Sequence, residues 1–333
     1  MNKKTLLFSL FFATIIISCN NDEVETSNDS DEVSTFGIRH DKDLSDYENV
    51  AKSNDTSLPN FDAVVNFSYS LDGSSNEDYT ASGTLIDTEW ILTAGHNFYD
   101  ANEQSSPAPL EGIKVKIGNN PNNPDAVYSV TEMILHPTWL AGNQEYSHAN
   151  DLCLIKLSSP VQNITPVLLF ADGTESLEST VWFCGFGDYS EQAGQDKNSD
   201  SKKHAMSNTL DRKVDGFQTS LNGTTYTGGI LAFDFDNPNG TINSLGDDHI
   251  GGFEDQLGTG ASSASALDYE GATVKGDSGG PLFVKDNGVW KLAGVLAGGV
   301  TNPIPNHTDG DYGDISIFIR VSSSYDWILS NME

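Results

Sequence analysis

The chain has 333 residues, with 17 Lys and Arg against 48 Asp and Glu, a formal charge of −31. That length allows a sizeable core, in one large domain or two ordinary ones. The charge excludes nucleic acid, because phosphate binding needs basic clusters, and excludes simple adsorption to an anionic membrane, while an acidic surface favours solubility and draws cationic substrates at low salt.

Met1 to Lys4 carries two lysines, and Leu6 to Ile17 is mainly apolar. A basic start and a short apolar core predict a secretory signal over 1–18, too short for a comfortable transmembrane helix. The end, Ile16-Ile17-Ser18-Cys19, resembles a bacterial lipobox. That resemblance implies lipidation of Cys19, export, and anchoring to a bacterial membrane, either the outer membrane or the cell surface. Residues 19–37 are rich in Asp, Glu, Ser and Asn without apolar periodicity, which predicts a disordered tether or a pro-segment. The acidic run after Cys19 also resembles the export signals of surface lipoproteins. Three cysteines make no disulfide framework; with Cys19 assigned to the lipid, Cys153 and Cys184 are read as free buried thiols.

The folded part is expected to begin between Phe36 and Phe61. Phe61, Ala63, Val65, Phe67 and Tyr69 alternate as a strand, and Thr80 to Ile86 reads as another. Trp90-Ile91-Leu92-Thr93-Ala94-Gly95-His96 is an apolar strand closed by a histidine. Ile113 to Ile117 alternates, and Ser129 to His136 is a further strand candidate. Asn150-Asp151 then precedes the nearly continuous apolar run Leu152-Cys153-Leu154-Ile155-Lys156-Leu157. An acid there fits a carboxylate held at the mouth of a buried strand. The other histidines, at 40, 136, 148, 204, 249 and 307, are read as ordinary surface or core residues.

In the second half, Ser158 to Ser179 reads as a connection with a strand around Val167 to Phe170, and Val181 to Gly187 as the next strand. From Asp188 to Gly260 the composition is polar and glycine-rich, so Tyr189 to Met206 reads as an exposed loop. Asp234-Phe235-Asp236-Asn237-Pro238-Asn239-Gly240 invites a calcium loop. Asn239 and Leu245 occupy the places that would need Gly and Glu, so an Asx/Pro/Gly turn is preferred. Gly276-Asp277-Ser278-Gly279-Gly280-Pro281-Leu282 is the stretch around which the rest is organised: a serine in a glycine-rich turn, where backbone can approach a ligand closely. A serine hydroxyl is a weak nucleophile and needs a base with an orienting acid.

The segments ending in His96, beginning at Asp151 and surrounding Ser278 together resemble the trypsin-like serine proteases of chymotrypsin fold. The resemblance covers roughly Phe61 to Met332. It implies an all-β molecule of two six-stranded antiparallel β-barrels with a short C-terminal helix. The first barrel falls within 38–170 and the second, with extended loops, within 171–333. It implies a serine endopeptidase working through an acyl-enzyme, with His96, Asp151 and Ser278 as catalytic residues. Gly276 and Ser278 would supply the oxyanion hole, and Ala272, Ala297, Gly298 and Gly299 the specificity pocket. Protein or peptide substrates, a monomer, and no cofactor or metal follow from the same likeness. The chain order His, Asp, Ser matches that family and disfavours a serine esterase, although Gly276 to Gly280 fits the G-x-S-x-G pattern. A catalytically silent binding protein on the same fold is the other reading.

Four departures stand out. Gly95 replaces the second alanine of the family's "TAAH". Asn97 and Ser82 occupy places where the family often has a cysteine pair, which removes a local staple. Ala272 stands where members that cleave after Arg or Lys carry aspartate, leaving Asp311 or Asp314 to reach the pocket floor. Gly37-Ile38 is the nearest match to an activation site, without the usual "IVGG". His136-Pro137 resembles a structural step of the family, and Tyr325, Trp327 and Ile328 its closing helix, expected on the second barrel.

Overall fold

The computed structural model describes residues 37–142, 147–190, 202–246, 257–300 and 310–332. The signal segment, Cys19 and the acidic tether lie outside the described residues.

Phe61–Ala63 forms a single 3-10 turn and leads into β1, Val64–Tyr69. Alternation predicts one buried face, yet every residue of β1 is buried. The reason is a hydrophobic cluster that joins β1 to Trp182, Phe283 and Val295 of the second half, so both faces are covered. Strands β2 (Tyr79–Leu85), β3 (Trp90–Thr93), β4 (Ile113–Ile117), β5 (Ala126–Leu135) and β6 (Cys153–Leu157) complete a closed six-stranded barrel in the order β1-β2-β3-β6-β5-β4. In β4, Ile113, Val115 and Ile117 point inward, while Lys114 and Lys116 share Glu77 outside. In β6 only Lys156 reaches out, its Nζ 5.0 Å from the centre of the Trp90 ring.

The second half is an eight-stranded sheet. Its strands are β7 (Leu168–Leu169), β8 (Thr180–Gly185), β9 (His204–Thr209), β10 (Arg212–Leu221), β11 (Thr224–Asp234), β12 (Pro281–Asp286), β13 (Val289–Val300) and β14 (Ile315–Arg320). The order is β10-β11-β14-β13-β12-β8-β9, with β7 parallel to β13. A barrel, a second sheet and a short C-terminal helix make the chymotrypsin-like fold that the resemblance implies, with an eight-stranded sheet where a second six-stranded barrel was expected.

The stretch read as polar loops differs. It holds β9, whose residues His204 to Asn208 are buried, and the long hairpin β10–β11. Leu221 pairs with Thr224 across Asn222-Gly223, both at positive φ (50° and 84°). That is the two-residue Asn-Gly hairpin turn, whose backbone twist suits paired strands. The dipeptide was the available signal, and the polar, exposed flanks around it hid the strands. The Asx turn after β11 is present: Asn237 Oδ1 accepts the N–H groups of Thr241 and Ile242 at 2.8 and 3.0 Å.

Three α-helices are described: α1 (Leu44–Ala51), α2 (Pro137–Leu140) and α3 (Tyr325–Ser330). Trp327 of α3 lies with its ring 4.7 Å from that of His136 in the first half, so the closing helix leans on the barrel as well as on the sheet. His136 is fully buried, its Nδ1 is 2.9 Å from Thr138 Oγ1, and burial lowers its pKa to about 3, as a structural histidine requires. Cys153 and Cys184 are free and buried. Among the described residues no helix is long and apolar enough to cross a membrane.

Candidate active site

β3 and β6 run antiparallel with Thr93 opposite Cys153. The chain leaving β3 and the chain entering β6 therefore meet at one rim of the barrel. His96 sits in the 3-10 turn Gly95–Asn97, and Asp151 lies two residues before β6. The backbone N–H of His96 donates to Asp151 Oδ1 at 2.8 Å, and its Nδ1–H donates to Oδ2 at 2.6 Å. Both carboxylate oxygens are thus engaged by one residue, which fixes the tautomer and the ring direction. The Asp151 side chain is 1% exposed and the His96 side chain 13% exposed, so the pair is shielded with one edge left open. Burial alone would lower the His96 pKa; the Asp151 charge and hydrogen bond outweigh it and leave the imidazole above its ordinary value.

Gly95 has a local reason. A Cβ there would lie 2.7 Å from Trp139 Cδ1 and 3.0 Å from Asp151 Oδ1. Trp139 cannot yield freely, because its indole N–H donates to Tyr99 O at 2.7 Å.

The serine turn is held on every side. Gly276 and Gly279 have φ of 100° and 82°, and a Cβ on Gly276 would lie 2.9 Å from Phe186 O. Lys275 O accepts the Asp188 N–H at 3.0 Å, and Asp277 O accepts the Gly280 N–H at 2.8 Å. A trans peptide points its N–H opposite its C=O. The N–H groups of Gly276 and Ser278 therefore point away from these contacts, and neither donates within the described residues. Ser278 is half-buried, and its hydroxyl has no hydrogen-bond partner among the described residues. Its carbonyl accepts from the Ser82 N–H at 2.8 Å and from Asn97 Nδ2 at 3.2 Å. Because Asn97 follows His96, the second contact joins the serine turn to the histidine turn.

Asp277 is buried, and its carboxylate accepts the N–H groups of Gly187 (2.8 Å) and Val274 (3.0 Å). Burial pushes its pKa up to about 7, against the pull of those two donors. Ile38 is buried and bridges to Gly271, while Gly37 O accepts the Ala272 N–H at 2.9 Å. The candidate activation segment is thus laid along the residues leading to the serine turn.

Ala272 is buried against Phe235 and Tyr312. Next to it Thr273 Oγ1 donates to Ser316 Oγ at 2.9 Å, a buried hydroxyl pair that sequence reading missed. Asp314 is turned onto its own loop, its carboxylate accepting the Gly310 N–H, and Asp311 caps the Tyr312 N–H at 2.8 Å. On β13, Leu296 exchanges hydrogen bonds with the serine turn: Gly279 N–H to Leu296 O and Leu296 N–H to Gly280 O, both 2.9 Å. Beyond Leu296 the pairing with β14 slips by a residue, and Gly298 and Gly299 pair only with β14. Ala297, Gly298 and Gly299 therefore run on from the serine turn with one backbone edge unpaired among the described residues.

A family model described as Trypsin matches residues 60–328. Among curated proteins, the chain is 27% identical to the mouse "Transmembrane protease serine 11C" over 77% of this chain and 48% of that protein. It is 25% identical to human "Testisin" over 76% of this chain and 70% of that protein. The chain spans about half the length of the first of these relatives.

Proposed function

The chain belongs to the trypsin family, and from that premise we propose that it is a serine endopeptidase acting on proteins or peptides through an acyl-enzyme. The observation that carries the reading is His96, held by Asp151 at 2.6 Å and joined through Asn97 to the turn that bears Ser278. Ser278 Oγ attacks the scissile carbonyl carbon while His96 Nε2 takes its proton. Asp151 stabilises the imidazolium that forms. The oxyanion rests on the N–H groups of Gly276 and Ser278, which have no acceptor among the described residues, each worth about 3 kcal/mol in the transition state. His96 then returns the proton to the leaving amine, and water, activated by the same base, releases the acyl group. The Ser278 hydroxyl has no bond to His96 in the free protein; such contacts often tighten only once substrate is bound.

The unpaired edge of Ala297, Gly298 and Gly299 suits an extended peptide added as a strand. Ala272, where members that cleave after Arg or Lys carry aspartate, disfavours that preference. The leader sequence supports an exported protein lipid-anchored through Cys19 to a bacterial outer membrane or surface.

The test is digestion of a peptide library by the purified protein with Ser278→Ala as control, together with labelling by a fluorophosphonate. Cleavage and labelling by the wild type, both absent in the variant, are expected. Cleavage unchanged in the variant overturns the mechanism, and a wild type that neither cleaves nor labels points to a binding protein on the same fold.

A further inference from the structure

The places where the family often carries a cysteine pair hold Ser82 and Asn97, and the structure fills that space with hydrogen bonds. Ser82 sits in β2 and Thr93 ends β3; both are fully buried, and Asn97 is 4% exposed. Thr93 Oγ1 donates to Ser82 O at 2.7 Å and accepts from Asn97 Nδ2 at 3.1 Å. From this frame three donors reach the serine turn. The Ser82 N–H and Asn97 Nδ2 both donate to Ser278 O, and Ser82 Oγ donates to Gly276 O at 3.0 Å. Ser82 Oγ also accepts the Phe186 N–H at 3.2 Å, which ties in the end of β8. The fit leaves no room: a Cβ on Gly279 would overlap Thr93 Oγ1 and Ser82 O and lie 2.8 Å from Asn97 Nδ2.

We propose that Ser82, Thr93 and Asn97 form a polar clasp that positions the nucleophile turn against the histidine turn, in the place of the disulfide this chain lacks. The inference rests on the peptidase reading for its catalytic consequence, and these three are positioning residues that touch no substrate. The physical argument is one of fixed planes. Two donors on Ser278 O set the plane of the 278–279 peptide, while the Asp277–Gly280 bond sets the plane of the 277–278 peptide. Ser278 Cα is held between them, so the hydroxyl and its N–H keep one geometry. In a buried frame each bond is stronger than in water, and removal of one donor leaves its acceptor unsatisfied. A disulfide at the same place would join only its two ends, and reductant would open it; the clasp reaches Ser278 and Gly276 and holds no sulfur.

The test uses the purified chain and two readouts, one of them independent of activity. Asn97→Ala is expected to speed hydrogen exchange in the segment 276–283 and to lower kcat about ten- to a hundredfold with little change in KM, as a small misplacement of reacting groups does. The double variant Ser82→Cys with Asn97→Cys is expected to recover only part of kcat when oxidised, because the bridge rejoins the two turns without the donors to Ser278 O and Gly276 O, and to lose that part on reduction, while the wild type is indifferent to reductant. An Asn97→Ala protein with a lower melting temperature but unchanged kcat and unchanged exchange overturns the clasp as a positioning device. If the wild type neither cleaves nor labels, the peptidase reading fails by itself. Exchange in 276–283 then decides the clasp: faster in Asn97→Ala supports it, unchanged overturns it.

Discussion

Gly95 shows how one residue in a familiar motif answers to its neighbours. The family's alanine would place a methyl 2.7 Å from Trp139 and 3.0 Å from Asp151. Gly95→Ala is therefore expected to lower kcat several-fold by pushing Asp151 off the imidazole, and Gly95→Ala with Trp139→Leu to regain part of it; steady-state kinetics of both variants check this. Asp151→Asn loses the acceptor that fixes the tautomer and is expected to reduce kcat by about 10⁴. The raised pKa of His96 has a direct reading in rate. The base must be neutral, so kcat/KM is expected to fall on the acid side through a single proton uptake above the ordinary histidine value near 6.5. A limb below 6.5 would show that Asp151 does not hold the ring in solution. His96, Asp151 and Ser278 were legible as residue types in a fixed order. Asn97, Thr93 and Ser82 were not, because a buried hydrogen-bond frame leaves no spacing rule in the sequence.

Among elements, β3 and β6 do most to build the site, since their register brings two distant turns to one rim. The end of β11 sets a different constraint. Asp234 there, Asp211 before β10, Asp236 and Glu270 are all buried close to one another. Burial holds all four above the usual carboxylate range, Glu270 at about 8; repulsion from neighbouring carboxylates adds to it at Asp211, Asp236 and Glu270, while at Asp234 hydrogen bonds work against it. Two main-chain donors and the Arg39 charge work against this at Glu270. A carboxyl whose folded pKa is raised favours the fold while protonated. That contribution is complete below about pH 4 and is lost as pH rises through 8 and beyond. Melting temperature is expected to fall between pH 7 and 10, and Asp236→Asn to flatten the fall; a melting curve series at fixed salt decides it, and an unchanged slope would show that the cluster ionises freely. The hairpin β10–β11 was the element least legible in sequence. Its strands are stabilised by pairing over a polar surface, which strips them of hydrophobic alternation, and only Asn222-Gly223 marked it.

For the whole molecule, charge governs encounter more than fold. With a formal −31, long-range attraction should favour cationic peptides at low salt. Added salt shortens the Debye length from about 30 Å at 0.01 M to about 8 Å at 0.15 M. KM for peptides rich in Lys outside the cleaved bond is therefore expected to rise with salt while kcat stays level, and no change would mean that the acidic surface lies away from the approach path. The two halves share one hydrophobic cluster across β1, β8 and β12, so core packing rather than a linker holds them together.

The sequence by itself determined the fold class, the three catalytic candidates and the absence of a disulfide at 82 and 97, because these depend on residue identity and order along a buried strand or a glycine turn. Only the tertiary structure decided how Ser278 is held and why residue 95 has no side chain. Each of these depends on atoms from segments far apart in the chain meeting within a few ångströms, and no local pattern encodes a distance between segments that the fold alone brings together.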